Sequence, residues 1–431
     1  MNIVLINKNP FYYKNKTFPI YLAGHVTGFV EPFTNYLLNK KHKVIMISPA
    51  EHSNFKGEYD AFFPEPPKSE NFHQIFIKPK ILPKVPFSFG ELDVKMALMK
   101  ASDKLGKIDV VISVYAFPWI IPVNDLKSKV GYKTVALLRG SDATMGCNPN
   151  SEYNEIYGKE EWEYITQIYR NSLNKSDLVI TTSEMLAHYV RDLGVRVDGI
   201  SPTPPFEYKG TNSLQKTVLK RRFLQTSAIR TQIYEIDIKK EWIIYLGRFH
   251  RDKQVDLMIR SFLEIRNKNK VHFLLCGLGE ELDNLIKLSK KLHIKDISFC
   301  FVPPNLVPLL CRCATAMVHP ASLPWHFIDA RPSSCINAAY QGCPVILPFK
   351  ENRNDFGGAH ESVSPFNTKH LSYDPFLPRQ TVSSLIAEKI DLVIENRYVK
   401  EEIGRKNEKW ASQFTQIKEF KKLENRIKSL L

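Results

Sequence analysis

The segment Tyr245-Leu-Gly-Arg-Phe-His-Arg-Asp-Lys253 ends an apolar run in a glycine turn and sets Arg248 and Lys253 just beyond it. An arginine presents a planar fork of donors that fits two phosphate oxygens at once, and a lysine adds a compact charge beside it. If the apolar run is a strand of a parallel sheet, both groups stand past its carboxyl end, where such sheets bind ligands and where helix N-termini attract phosphate. The pair therefore suits a departing diphosphate. A surface arginine and lysine flanking a tight turn would share the spacing.

Two further segments carry polar groups at comparable places. Cys276-Gly-Leu-Gly-Glu280 is a second glycine turn opening a helical pattern, and Gly277 and Gly279 would let the backbone approach a base or ribose. Many α/β proteins own such a turn. After His319-Pro-Ala-Ser comes Asp329-Ala-Arg-Pro-Ser-Ser-Cys-Ile-Asn337, with Asp329 just before a helical pattern and Asn337 within it. Each can offer a polar group to a cleft, although Asp329 also reads as a cap or turn residue and Asn337 as an exposed one.

These segments need elements to position them. Short β-branched runs at residues 2–6, 43–48, 73–77, 109–114, 133–138 and 177–181 alternate with amphipathic stretches, the first at 28–40. A second series begins at 242–246 and continues through strands at 271–276, 297–301, 314–319 and 344–347, with helices at 255–266, 280–292, 305–312 and 333–341 between them. Strand-helix alternation predicts a parallel sheet covered on both faces, here twice over. Ser201-Pro-Thr-Pro-Pro205 can continue neither helix nor central strand and reads as the interdomain linker. The expected division is 1–205 for a first Rossmann-like domain, 206–400 for a second, and 401–431 for terminal helices packing back on the first. Past Ser383 the pattern is helical to the end.

Composition agrees with a folded, two-domain chain. There are 431 residues, 43% hydrophobic and 11% aromatic, which excludes disorder and suits two cores. No run approaches the roughly 20 apolar residues that span a bilayer, and no secretory pattern opens the sequence, so a cytoplasmic location is expected. The seven cysteines include Cys276, Cys300, Cys335 and Cys343 in apolar runs, where a reduced thiol packs as a small hydrophobe. Cys311 and Cys313 lack partners at ligand spacing, so no metal site is expected. A net charge of +15 favours anionic partners, but no nucleic-acid-binding motif accompanies it.

Gly247-Arg248, Lys253, the Gly277-Leu-Gly279 turn and Asn337-Ala-Ala-Tyr-Gln-Gly-Cys-Pro-Val345, in this order, resemble the C-terminal domain of retaining family 4 glycosyltransferases of the GT-B fold. Ala23-Gly-His-Val-Thr-Gly28 is similar to that family's glycine loop, Leu138-Arg-Gly-Ser-Asp142 to its His-Gly-x-Asp strand end, and Asp177-Leu-Val-Ile-Thr-Thr-Ser183 to a third N-terminal segment. The resemblance leaves out about residues 50–105 and 350–380. It departs from the family where paired glutamates become Asp329 and Asn337, where the histidine becomes Arg139, and where residues 323–328 are extra.

What the resemblance implies is transfer of a sugar from a nucleotide-diphosphate donor to a hydroxyl acceptor, with retention and without a metal or other cofactor. Arg248 and Lys253 would stabilise the leaving diphosphate, and Gly24 and Gly28 would approach its distal phosphate. Asp329 would reach the donor sugar, Asn337 the ribose, and Gly247, Gly277 and Gly279 would line the donor site. Arg139 would stand near the sugar's outer carbons, either pairing with an acidic sugar or forming an ion pair with Asp142. A non-catalytic partner of an active transferase and a nucleotide-sugar epimerase are the competing readings. The stretch from Ile75 to Phe89 interleaves Lys78, Lys80 and Lys84 with Phe76, Phe87 and Phe89, which fits peripheral contact with an anionic membrane and a lipid-linked acceptor. The plainer account of those residues is a strand end, packed aromatics and solvated lysines.

Overall fold

The computed structural model describes residues 1–7, 26–49, 67–77, 91–144, 146–151, 154, 158–206, 215–226, 230–231, 236–320, 330–351 and 357–431. The chain forms two compact units, one of residues 1–203, 325–330 and 416–431, the other of residues 204–324 and 331–415.

In unit 1 the chain runs through β1 (Asn2–Asn7), α1 (Glu31–Asn39), β2 (Lys43–Pro49), β3 (Phe72–Ile77), α2 (Glu91–Leu105), β4 (Val110–Val114) and α3 (Ile120–Val130). It continues with β5 (Lys133–Leu138), α4 (Ser141–Thr144), α5 (Lys159–Lys175), β6 (Leu178–Thr181), α6 (Glu184–Asp192) and β7 (Gly199–Ile200). The seven strands lie in the order β3-β2-β1-β4-β5-β6-β7, every pair parallel. The strands read as unbroken apolar runs because both faces are covered. Alternate residues of β1 enter different cores, Val4 and Ile6 on one side and Ile3 and Leu5 on the other. Each such fully buried side chain contributes about 1.5–3 kcal/mol.

Unit 2 contains α7 (Lys216–Leu224), β8 (Arg230–Thr231), β9 (Glu241–Leu246), α8 (Val255–Ser261), β10 (Val271–Cys276), α9 (Leu282–Lys291), β11 (Ile297–Phe301) and α10 (Val307–Cys313). Then follow β12 (Ala316–Val318), α11 (Ser333–Tyr340), β13 (Val345–Pro348), α12 (Pro365–Leu371), β14 (Ser372–Tyr373), α13 (Arg379–Glu395) and α14 (Arg397–Ala411). Its strand order is β14-β13-β12-β9-β10-β11-β8, parallel except for β8 against β11. Again the faces part company residue by residue: Ile243 and Tyr245 join one core, Trp242 and Ile244 the other. After the edge strand β8 the chain passes to β9, winds outward through β10 to β11, then returns to the opposite side through β12, so a topological switch lies between β9 and β12.

The last helix, α15 (Gln416–Lys428), belongs to unit 1, where Phe420, Leu423 and Ile427 close the core beneath α1. Glu424 fixes it: its carboxylate accepts the Tyr36 hydroxyl at 2.7 Å and meets His42 Nε2 at 2.9 Å. Of the stretch expected to leave unit 2 at residue 401, α14 remains there. Asn407 is held by Ser364, Asn367 and the Cys343 carbonyl, all of unit 2.

The structure trims some expected elements. The helix expected at 255–266 ends at Ser261 in a 3₁₀ turn, and the strand expected at 314–319 spans only Ala316–Val318. Strands β7, β8 and β14 are two residues each, too short for any periodicity to show. Every cysteine is buried and none forms a disulfide. No helix among the described residues is long and apolar enough to cross a membrane.

Candidate functional site

Arg248 and Lys253 follow β9, one of the two strands that flank the switch point of unit 2. The loop that carries them is fastened to the loop after β10. The Gly247 N–H donates to the Cys276 carbonyl at 3.0 Å, the Phe249 N–H to Leu278 at 2.8 Å, and the Glu281 N–H to Phe249 at 3.1 Å. From below, the Tyr245 hydroxyl donates to the carbonyl of Arg248 at 2.7 Å. Phe249 is fully buried between Tyr245 and Phe299. The arginine's main chain is thus fixed on three sides.

The glycines explain how the loops come this close. A Cβ on Gly277 would lie 1.8 Å from the Gly247 carbonyl oxygen, and one on Gly279, whose φ is +155°, would lie 2.2 Å from the Phe249 oxygen. What fills the space at both glycines is the neighbouring loop's backbone.

Lys253 closes a single 3₁₀ turn, Arg251–Lys253, and its side chain is mostly buried. Beneath it the Asp252 carboxylate lies 3.7 Å from Lys253 Nζ and also meets His250 Nδ1. The other ring nitrogen of His250 faces Glu280 Oε1 at 2.9 Å, which ties this turn to the loop after β10.

Asn337 lies in α11 and is 3% exposed. Its Oδ1 accepts the Phe206 N–H at 2.6 Å, and its Nδ2 donates to the Ser333 carbonyl at 2.7 Å. One lone pair and one amide hydrogen remain uncommitted by these bonds. Asp329 and Gly24 lie outside the described residues.

In unit 1, Gly28 is buried in the π-helical turn Val26–Val30 that leads into α1. Arg139 stands one residue past β5. Its guanidinium lies 3.9 Å from the centre of the Phe29 ring and donates to the Ser201 carbonyl at 3.2 Å and to Thr203 Oγ1. Burial pulls its pKa down to about 10, against the opposing fields of Tyr115 and Asp142. Asp142 meets Arg139 through the main chain, because its carboxylate accepts the N–H groups of Arg139, Gly140 and Ala116, each at 2.9 Å.

Two family models match the chain: Glycosyltransferase Family 4 over residues 29–205 and Glycosyl transferases group 1 over residues 228–410. The chain belongs to the family 4, group 1 glycosyltransferases. Among solved structures, a sucrose-phosphate synthase from Thermosynechococcus elongatus is similar with a TM-score of 0.73 at 15% identity, covering 99% of this chain and 98% of that one. HepE from Anabaena, solved in complex with UDP-glucose, gives a TM-score of 0.67 at 14% identity, with 99% of each chain covered. These likenesses establish the GT-B fold of the glycosyltransferase. A curated relative, N-acetyl-alpha-D-glucosaminyl L-malate synthase from Bacillus anthracis, is 24% identical over 243 residues; the match spans 56% of this chain and 57% of that one.

Sequence reasoning missed several groups around this glycosyltransferase's site. His250, Asp252 and Glu280 were visible as polar residues within the quoted motifs, but nothing in their spacing says that one carboxylate sits beneath Lys253. Tyr115, just past β4, holds φ at +57°. A bulky residue persists in that region only when its surroundings demand it, at a cost of about 1–3 kcal/mol. No glycine or asparagine marked the turn in advance.

Proposed function

We propose that the enzyme transfers a sugar from a nucleotide-diphosphate donor to a hydroxyl acceptor with retention, and that Arg248 and Lys253 stabilise the departing diphosphate. The observation that carries this reading is the rigid loop after β9, which presents both cations at the carboxyl edge beside the switch point of unit 2. Preorganised positive groups stabilise charge as it develops, without reorganising at the moment of reaction. The bond from the sugar's anomeric carbon to the phosphate oxygen breaks first in time. The acceptor hydroxyl then gives its proton to that oxygen as its own oxygen bonds the anomeric carbon on the same face. This needs no base or metal from the protein. HepE's complex with UDP-glucose supports a nucleotide sugar as donor. In the same reading Asp329 contacts the donor sugar, Asn337 gives its uncommitted amide hydrogen to the ribose, and Gly24 and Gly28 approach the distal phosphate.

The setting proposed for the reaction is the cytoplasmic membrane face, in synthesis of a polysaccharide or glycolipid on a lipid-linked acceptor. Support comes from unit 1, where Phe76 on β3 and Leu92, Met96 and Met99 along one face of α2 are exposed, with Lys100 also exposed on α2. Residues 78–90, which hold the remaining lysines and aromatics of that argument, lie outside the described residues.

A thermal-shift screen with nucleotide diphosphates and nucleotide sugars identifies the donor, since a ligand of the folded state raises apparent stability. The anomeric configuration of the transferred sugar, read by NMR, then tests retention, and an inverted product overturns it. Sedimentation with phosphatidylglycerol vesicles tests the membrane setting: binding that survives Leu92→Gln, Met96→Gln and Met99→Gln together refutes the role of α2.

A further inference from the structure

The loop after β9 places its two cations by different means. Main-chain bonds to the loop after β10 run through Gly247 and Phe249, so they brace Arg248 from both sides. Among the described residues no main-chain bond joins the two loops beyond Phe249. The turn that carries Lys253 closes on itself, with the Lys253 N–H donating to the His250 carbonyl at 2.9 Å and the Gln254 N–H to the Arg251 carbonyl at 3.2 Å. A side chain makes the crossing instead: His250 Nε2 meets Glu280 Oε1 at 2.9 Å, while Nδ1 of the same ring meets Asp252 Oδ1.

Two carboxylates are costly company for a diphosphate, because like charges repel. Asp252 is the nearer to the lysine. Its side chain is 7% exposed, and its Oδ2 lies 3.7 Å from Lys253 Nζ, within range of charge attraction but past that of a hydrogen bond. A turn of the carboxylate would close the gap, and an ammonium paired that tightly has less to give to phosphate. The His250 ring prevents the turn by engaging Oδ1. Its two nitrogens diverge, so one ring can hold Asp252 on one side and the half-exposed Glu280 on the other. A tie serving the fold alone would not require two acidic groups beside a site for an anion.

We propose that His250 is a positioning residue for diphosphate binding, which holds Asp252 off Lys253 and fastens the turn bearing that lysine to Glu280. This role presupposes that Arg248 and Lys253 hold the diphosphate. It gives the two cations different dependences: Arg248 owes its placement to the main chain, and Lys253 owes its placement to the His250 ring.

Isothermal titration calorimetry of the whole chain with inorganic pyrophosphate, the group common to nucleotide-diphosphate donors, reads the affinity without turnover. His250→Phe keeps the bulk of the ring and removes both nitrogens, and it is expected to weaken pyrophosphate binding about 10-fold, a coupling usual for residues of one network. In a Lys253→Ala background the same substitution is expected to change little, and in an Arg248→Ala background to keep its full effect. Asp252→Asn is expected to restore most of the affinity lost in His250→Phe, since an amide carries no charge to capture the ammonium. A merely structural role would give no such rescue. The role of His250 is overturned, with the diphosphate reading left standing, if His250→Phe binds as the parent does, if its penalty is the same with and without Lys253, or if Asp252→Asn does not reduce it. If Arg248→Ala and Lys253→Ala themselves bind pyrophosphate as the parent does, the diphosphate reading falls and this role falls with it.

Discussion

Arg248 and Arg139 both stand just past the carboxyl end of a parallel strand, and both have a fastened main chain. At Arg248 it is the main chain that is fastened, by Tyr245 from below and by two neighbouring residues' bonds to the loop after β10. At Arg139 the guanidinium itself is fastened, to Ser201, Thr203 and the face of Phe29. A fixed main chain gives an arginine a rigid base, and the Arg139 guanidinium is in addition committed to neighbouring chain. Position at a strand end therefore does not by itself assign a role.

The comparison breaks most sharply at the diphosphate. Arg248→Ala and Lys253→Ala are each expected to lower kcat by about 100-fold or more at saturating donor, the scale for losing one group that stabilises developing charge. Steady-state assays with the donor identified by thermal shift measure this. If both variants turn over near the parent rate, the loop after β9 is not the diphosphate site.

A smaller effect is expected from Gly277→Ala, which tests the rigid base without touching either cation. The added methyl would meet the Gly247 carbonyl oxygen at 1.8 Å, and only backbone movement relieves such a contact. A loss of about 1–3 kcal/mol in unfolding free energy is expected, as for other overpacked sites, together with weaker nucleotide binding. Urea titration and calorimetry check the two parts. Unchanged stability would mean that the two loops are not locked together.

Much of this arrangement was legible in the sequence, and the rest was hidden for definite reasons. Both sheets and their parallel sense follow from β-branched runs alternating with amphipathic stretches, and the loop bearing Arg248 and Lys253 from the glycine turn that ends one of those runs. The two cysteines expected to pack as hydrophobes on β10 and β11, Cys276 and Cys300, do so in register. What could not be read is anything decided by distant chain meeting distant chain. Gly277 reads as space left for a ligand until the Gly247 carbonyl is found there. Arg139 and Phe29 are 110 positions apart, and Asn337 and Phe206 are 131 apart, so no local pattern announces either contact. The return of α15 to unit 1 rests on the Glu424 network, whose partners Tyr36 and His42 lie almost the whole chain away.

The finest difference between the units is their response to acid. In unit 2, His272 is 1% exposed on β10, bonded through Nε2 to Ser298 Oγ at 2.9 Å, and burial brings its pKa down to about 4 despite the opposing field of Asp296. In unit 1, Glu424 is lowered to about 2, where bonds from Lys428, His42 and Tyr36 outweigh its burial. Both folded values lie below those of the unfolded chain, so in each case the unfolded state binds the extra proton and stability falls with pH. The windows differ. The His272 contribution is complete above about pH 6.5 and drains as pH falls towards 4, whereas the Glu424 contribution is complete above about pH 4.5 and drains towards 2. One uncompensated proton corresponds to a slope of about 1.4 kcal/mol per pH unit. The protection factors of the β10 and β11 amides, with the intrinsic exchange rate divided out, are therefore expected to fall between pH 6.5 and 5, and His272→Gln is expected to flatten that dependence by one proton. Parent and variant showing the same slope would remove His272 as its source.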